Sequence, residues 1–376
     1  MHGLYLRAIS LFSICLGGTH FIGPYVVRQL VEQGHQVTVF HRGQTQADLP
    51  LDVHHLYGDR AQLHRHREDF YNLAPDVVLD MIAYTQADAQ AVVDLFKGQA
   101  RRVVVISSQE VYRARDIIWK LETDILDPTP LTETSPLQSR LYPYRDLPEL
   151  RGELPADYEK ILVEQAYQSE PDLPATLLRL PMVYGPGDYR HRLQVYLKRM
   201  DDRRPAIVLE TSMANWRGSY GYVENVAHAI ALAITDERAV GRTYNISEPD
   251  SLSEADLIRA IGQQVGWQGQ VVSIPAAQMP EPWQVMLNTE QHWTTDSTRI
   301  RQELGFVETI TREEALQRTI AWERTATQSN FVHNRTLLDY TAEDSLLASL
   351  SKHLSCTHKS EPESFQPPKS PNSGGL

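Results

Sequence analysis

Cysteine is almost missing from this 376-residue chain. Cys15 and Cys356 are the two present, too few for a disulfide framework, and that usage fits a reducing compartment. No stretch is long and apolar enough to span a bilayer. Arg7 followed by the run Ala8 to Leu16 imitates a short signal peptide. Cleavage there would remove a first strand, so the run is taken as that strand and the chain is expected in the cytoplasm. Positive charge is also in deficit. Lys and Arg total 36 against 48 Asp and Glu, a net charge of −12. A broad nucleic-acid-binding face is therefore disfavoured, although a local basic groove is not. His54, His55, His64 and His66 have no Cys or carboxylate to complete a ligand set, so no metal is expected. No internal repeat is evident. The 41% hydrophobic content supports a real core, in one large α/β domain with a lobe or in two domains.

What is present begins with Leu16 to Gly23, Leu-Gly-Gly-Thr-His-Phe-Ile-Gly. An apolar run, Leu11 to Leu16, precedes it. A helical pattern, Pro24 to Gln33, follows and ends at Gly34. Strand, glycine turn and helix are the setting in which a pyrophosphate rests on backbone N–H groups and a helix N-terminus. Gly17 permits the sharp turn and Gly23 permits close helix packing, while His20 occupies the middle position. Gln36 to Phe40 reads as the second parallel strand. It ends in His41 and Arg42, with no carboxylate to hold a ribose 2′-hydroxyl. That favours a 2′-phosphate, and so NADP(H), unless Arg42 is merely a solvated loop residue.

Further strands are expected at Val53 to Tyr57, Asp76 to Met81, Arg102 to Ser107 and Ala175 to Leu180, with a polar helix at Gln62 to Phe70 and an amphipathic one at Thr85 to Lys97. The alternation predicts a doubly wound parallel sheet of Rossmann type. Asp59 sits where a carboxylate meets an adenine amino group. Ser107 and Ser108 end a central strand, in the crevice where ligands bind such sheets. Residues 113 to 156 are irregular and Pro-rich, and a helix is expected from about Asp157 to Gln168, carrying Lys160 and Glu164. The segment from Arg190 to Arg204 is basic. It is either a solvated helix face or a clamp for an anionic substrate, with Arg192 and Arg217 as candidates.

Several ordered motifs resemble the extended short-chain dehydrogenase/reductase superfamily, in its NAD-dependent epimerase/dehydratase group. They are Gly17 to Gly23, Gly58-Asp59, Ile106-Ser107-Ser108 with Val111-Tyr112, Lys160 with Glu164, Arg179 to Pro186, Tyr222 to Ala227, and Arg299-Ile300 with Glu303 to Phe306. They cover about residues 10 to 325, and the bulky His20 resembles a divergent branch that includes chloroplast RNA-binding relatives. The resemblance implies cofactor contacts from Gly17, Thr19, His20, Phe21, Ile22, Gly23, Arg42, Asp59, Met81, Ile82, Lys160 and Pro181. It implies a substrate-orienting hydroxyl at Ser108, a dehydratase-type base at Glu110, and a ribose-holding lysine at Lys160. The family's proton-donating tyrosine falls at Ala156, its acid neighbour at Gln109, and its substrate asparagine at Met182. Tyr158 lies about 200° round the helix from that tyrosine position. Either the helix starts late and Tyr158 swings in, or Tyr112 or Tyr144 substitutes, or the chemistry is lost.

The expected organisation is a nucleotide-binding domain of residues 8–182 and 223–247, a discontinuous substrate lobe of 183–222 and 248–326, and a largely disordered tail of 327–376. The expected function is an NAD(P)-dependent oxidoreductase or epimerase-like enzyme acting on a small, anionic sugar or sugar nucleotide, with no membrane partner. The alternative is a catalytically weak nucleotide-binding or RNA-associated scaffold. The resemblance also implies a homodimer, for which the apolar face of Thr85 to Lys97 is suited.

Overall fold

A computed structural model of the protein describes residues 10–122, 125–146, 154–326 and 338–357. Its centre is a seven-stranded parallel sheet. The strands are β1 (Phe12–Leu16), β2 (Gln36–His41), β3 (His54–Tyr57), β4 (Val77–Asp80), β5 (Arg102–Ser108), β6 (Ala175–Leu180) and β10 (Thr243–Asn245). Their order is β10-β6-β5-β4-β1-β2-β3, and every pair is parallel. This is the doubly wound arrangement.

The reason lies in the strand sequences. In β5, Val104 and Ile106 face one apolar cluster while Val103 and Val105 face the other. A strand buried on both faces reads as an unbroken apolar run. The first cluster is closed by α1 (Ile22–Glu32) and by the helix Val223–Thr235. The second is closed by α2 (Arg67–Leu73), α3 (Gln86–Phe96) and the helix Lys160–Gln168. Helix α3 starts with a capping box, in which Thr85 and Asp88 satisfy each other's backbone N–H groups.

Three expectations are corrected. The polar helix at Gln62 to Phe70 is a 3₁₀ segment, Arg60–His66, followed by α2, because the backbone leaves the helical region at His66. The irregular stretch after residue 112 opens with a short helix, α4 (Arg113–Ile118). The helix expected from Asp157 starts at Lys160, giving α5 (Lys160–Gln168), because Glu159 caps it. The apolar residues of α3 (Ala89, Val92, Val93, Leu95 and Phe96) are buried inside the chain, so this face is spent internally rather than offered to a second copy. The face left exposed carries Gln86, Ala87, Gln90, Ala91 and Asp94.

Beyond β6 the chain builds small parallel pairs. Strand β7 (Met182–Tyr184) pairs with β9 (Tyr220–Tyr222), and β8 (Ala206–Glu210) pairs with β11 (Gln270–Ile274). Around them stand α6 (Gln194–Asp201), α7 (Thr211–Asn215) and α9 (Glu254–Val265). The helix Val223–Thr235, α8, returns to the sheet, and α10 (Thr298–Leu304) and α11 (Arg312–Thr325) follow. The chain divides into compact units of residues 1–328 and 329–376. In the second, Tyr340–Thr357 form a helix, α12, close to the small helix that the sequence predicts over Thr341 to Leu354. The rest of that tail, residues 327–337 and 358–376, lies outside the described residues, as do residues 8 and 9 of the expected first domain. Among the described residues no helix is long and apolar enough to cross a membrane, and no group of three or more His, Cys, Asp and Glu is placed to hold a metal.

Candidate active site

The site lies along the C-terminal ends of the parallel strands. At the end of β1, Gly17 has φ +95 and Gly18 φ +94, a region that side chains resist. A Cβ on Gly17 would press on Ile82 at 3.2 Å and Met81 at 3.5 Å, so these candidate cofactor residues do meet. A Cβ on Gly23 would lie 2.4 Å from the Gly18 backbone, so α1 packs on the turn only because Gly23 has no side chain. Phe21 is the N-cap of α1 and supplies no side-chain cap, and no acidic residue sits in the first turn. The Gly23 N–H is taken by the His20 carbonyl at 3.0 Å and Pro24 has none, so in this first turn the Ile22 N–H is left for an anion. His20 fills the middle position with its ring against Tyr189, at 5.5 Å between centroids, and Phe21 meets the same tyrosine edge-on.

At the other end of this groove, Arg42 follows β2 and is exposed, as is Asp59, whose carboxylate accepts the Ala61 N–H. Pro181 lies under Gly221, on the far side of β6.

Lys160, the first residue of α5, is buried. Its Nζ donates to the carbonyls of Ala83 (2.6 Å) and Ile106 (2.9 Å), at the ends of β4 and β5, beneath the ring of Tyr84. Burial pushes its pKa down to about 8, against the opposing pull of Asp80 and Glu110. Ser108 is half-buried and accepts the Glu110 N–H at 3.1 Å. Glu110 accepts two phenols: Tyr144 at 2.5 Å and Tyr158 at 3.1 Å. The two tyrosine rings lie 5.6 Å apart, and Tyr84 lies 6.0 Å from Tyr158. Burial first, and then Glu110, raise the pKa of both Tyr144 and Tyr158.

Of the routes left open by Ala156, the late helix start is the one the backbone takes. The buried Glu159 carboxylate accepts N–H groups from Ile161 (2.8 Å) and Tyr142 (2.6 Å). Helix α5 therefore begins after Tyr158, and Tyr158 turns to Glu110. Tyr112 is excluded from the site. It is fully buried, donates to Asn245 at 2.7 Å and accepts from Arg179 at 3.1 Å. Gln109 is also buried, with its amide on Ile246 and Thr295. Met182 packs on Gly218.

The basic segment is largely occupied. Arg192 pairs with buried Asp188 at 2.6 Å, and Arg217 donates to the Ser251 carbonyl. Arg190 stacks on Tyr189 and lies within the field of Glu110 and Tyr144. Tyr84, Tyr189 and Glu159 escaped sequence reasoning, since none belongs to a spaced motif.

Residues 158–247 match the sequence model of the NAD dependent epimerase/dehydratase family. Chloroplast stem-loop binding protein of 41 kDa b from Arabidopsis thaliana is 26% identical over 278 residues, 70% of this chain and 66% of that protein. A 2′-dehydrokanamycin reductase from Streptomyces kanamyceticus is 25% identical over 274 residues, 71% of this chain and 70% of the reductase. The chain thus matches about two thirds of the length of each relative. Among solved structures, the UDP-glucose 4-epimerase of Thermotoga maritima superposes with a TM-score of 0.60 at 18% identity, over 84% of this chain and 99% of the epimerase. The dTDP-glucose 4,6-dehydratase of Bacillus anthracis, solved with NAD, gives 0.61 at 14%, over 85% and 98%. These matches agree with the resemblance to the epimerase/dehydratase group read in the sequence.

Proposed function

Starting from a chain with the epimerase/dehydratase signature on a Rossmann-type sheet, we propose an NAD(P)-dependent oxidoreductase or epimerase-like enzyme acting on a small sugar or sugar nucleotide. One observation carries this reading. Lys160, Ser108 and Glu110 converge at the ends of β4 and β5, of which β4 lies directly beside the glycine-turn strand β1. The turn fits a dinucleotide, because its positive-φ glycines bring the backbone close and the uncapped start of α1 leaves an N–H group for a pyrophosphate. A nicotinamide held there supplies or accepts hydride.

The chain's own residues do the rest. Lys160 spends two N–H groups on backbone carbonyls and keeps a third for a ribose hydroxyl. Ser108 accepts from the Glu110 backbone and retains its own proton to orient a substrate oxygen. Tyr144 and Tyr158, with raised pKa values, stay protonated at neutral pH and donate to Glu110. In this reading Glu110 is the group that takes a proton from a substrate alcohol and returns it to a carbonyl-derived oxygen. The sugar class is supported by the activities that name the reductase, the epimerase and the dehydratase to which the chain is similar. Arg190 is the cation best placed for an anionic substrate. NADP(H) is favoured by exposed Arg42 and by the missing carboxylate after β2. The buried free thiol of Cys15 fits a reducing compartment.

A second reading, an RNA-associated scaffold, draws on the stem-loop binding relative. The net charge of −12 opposes it. Parallel titrations with NADPH, NADH and an RNA hairpin at physiological salt separate the two. The enzyme reading expects NADPH to bind more tightly than NADH and the hairpin not to bind. With a panel of sugar ketones, Glu110→Gln should keep NADPH binding and lose about 10²-fold or more in turnover. Hairpin binding without dinucleotide binding overturns the reading.

A further inference from the structure

The ends of β2 and β3 hold an arrangement that the proposed chemistry does not use. His41 Nε2 lies 2.8 Å from His55 Nδ1, and His41 Nδ1 accepts the Gly43 N–H at 3.2 Å. His55 stacks on Tyr57 with 6.0 Å between centroids and 14° between planes, and the His41 ring lies 4.9 Å from the same tyrosine. A Cβ on Gly43 would sit 3.2 Å from the Tyr57 ring. Arg42 therefore projects from a turn held on both sides, by His41 before it and by the Gly43 amide after it. Its own side chain is exposed and has no ion pair among the described residues.

The hydrogen bonds also set the protonation of the pair. Because the Gly43 N–H points at His41 Nδ1, the His41 proton sits on Nε2 and is donated to His55 Nδ1. One directed chain runs from the Gly43 amide through His41 to His55, and it requires both rings to be neutral. Burial and the neighbouring His55 lower the His41 pKa, which favours the neutral His41 ring that this chain of hydrogen bonds uses.

We infer that the His41–His55 couple is a positioning device for Arg42: it fixes the β2 exit so that the guanidinium meets a ribose 2′-phosphate, and it thereby sets the preference for NADPH over NADH. This rests on the proposed reading of the glycine turn as a nicotinamide-nucleotide site. His41 and His55 need not touch the cofactor. They act through the backbone on either side of Arg42.

The test is the ratio of NADPH to NADH dissociation constants, measured by fluorescence on the full chain, with thermal unfolding as a check on folding. Arg42→Ala should bring the ratio close to one. His41→Phe keeps a ring but has no acceptor for Gly43, and should weaken NADPH about tenfold while leaving NADH within about twofold. His41→Asn can accept from Gly43 and donate toward His55, and should recover most of the preference. His55→Phe removes the second acceptor and keeps the stack on Tyr57. It should give a loss in the same direction as His41→Phe. An unchanged ratio in both phenylalanine variants overturns the proposal and leaves the nucleotide site standing. So does parallel weakening of both dinucleotides, which a merely structural role would give. Failure of the wild-type chain to bind either dinucleotide overturns the site reading and this inference together.

Discussion

Consecutive residues at the end of β5 open onto two carboxylates with opposite roles. Ser107 donates to Glu164 at 2.6 Å, and Ser108 accepts from the backbone of Glu110. Both neighbourhoods contain a carboxylate and a tyrosine, and each lies beside a cation. Glu164 is buried and takes three donors. Arg179 donates to both of its oxygens, at 3.0 and 2.7 Å, and spends its remaining nitrogen on Tyr112 and the Glu133 carbonyl. Tyr112 passes its own proton to Asn245. Around Glu110 two phenols donate, the residue is only half-buried, and acceptor capacity is left over. A saturated buried network holds the fold in register. An unsaturated one at a strand end is where a substrate can enter the hydrogen bonding.

The contrast can be broken most severely on the saturated side. Arg179→Met strands the buried Glu164 carboxylate and should cost about 3–5 kcal/mol in urea unfolding. The double variant Glu164→Leu with Arg179→Met should recover part of that loss. Full recovery would mean that the pair itself adds nothing net, and no loss in the single variant would remove the structural assignment.

Lys160 sharpens the comparison through pH. Its folded pKa of about 8 lies below the ordinary lysine value of 10.5, so between these values the unfolded chain binds more protons. Stability therefore rises with pH in that window, and the penalty for the buried charge is complete below it. Against Lys160→Met, the wild-type chain should gain up to about 3 kcal/mol as pH rises from about 7 to about 10.5. Denaturant unfolding of both proteins across that range reads the difference, and a flat difference contradicts the buried-lysine account.

Much of this was legible in the sequence. The strands are buried on both faces and so announce themselves as apolar runs, and the glycine turn, Ser108 and Lys160 sit at informative spacings. Local pattern failed where tertiary contacts decide. The start of α5 depends on Glu159 reaching the Tyr142 amide, 17 residues away along the chain. The break at His66 divides a helix that looks continuous in composition. Tyr144 reaches Glu110 from an irregular stretch that has no period to read. Nor could spacing tell Glu164 from Glu110, because what separates them is Arg179, which reaches Glu164 from β6.

The most direct test compares two conservative substitutions, Glu110→Gln and Glu164→Gln, by unfolding free energy under one set of conditions. Glu164→Gln sets an amide N–H group against the donors of Arg179 and should cost about 3 kcal/mol or more. Glu110→Gln should stay within about 1 kcal/mol of wild type, since it disturbs a half-buried acceptor with capacity to spare. Equal losses would place both carboxylates in the structural framework and contradict the assignment of Glu110 to the chemistry.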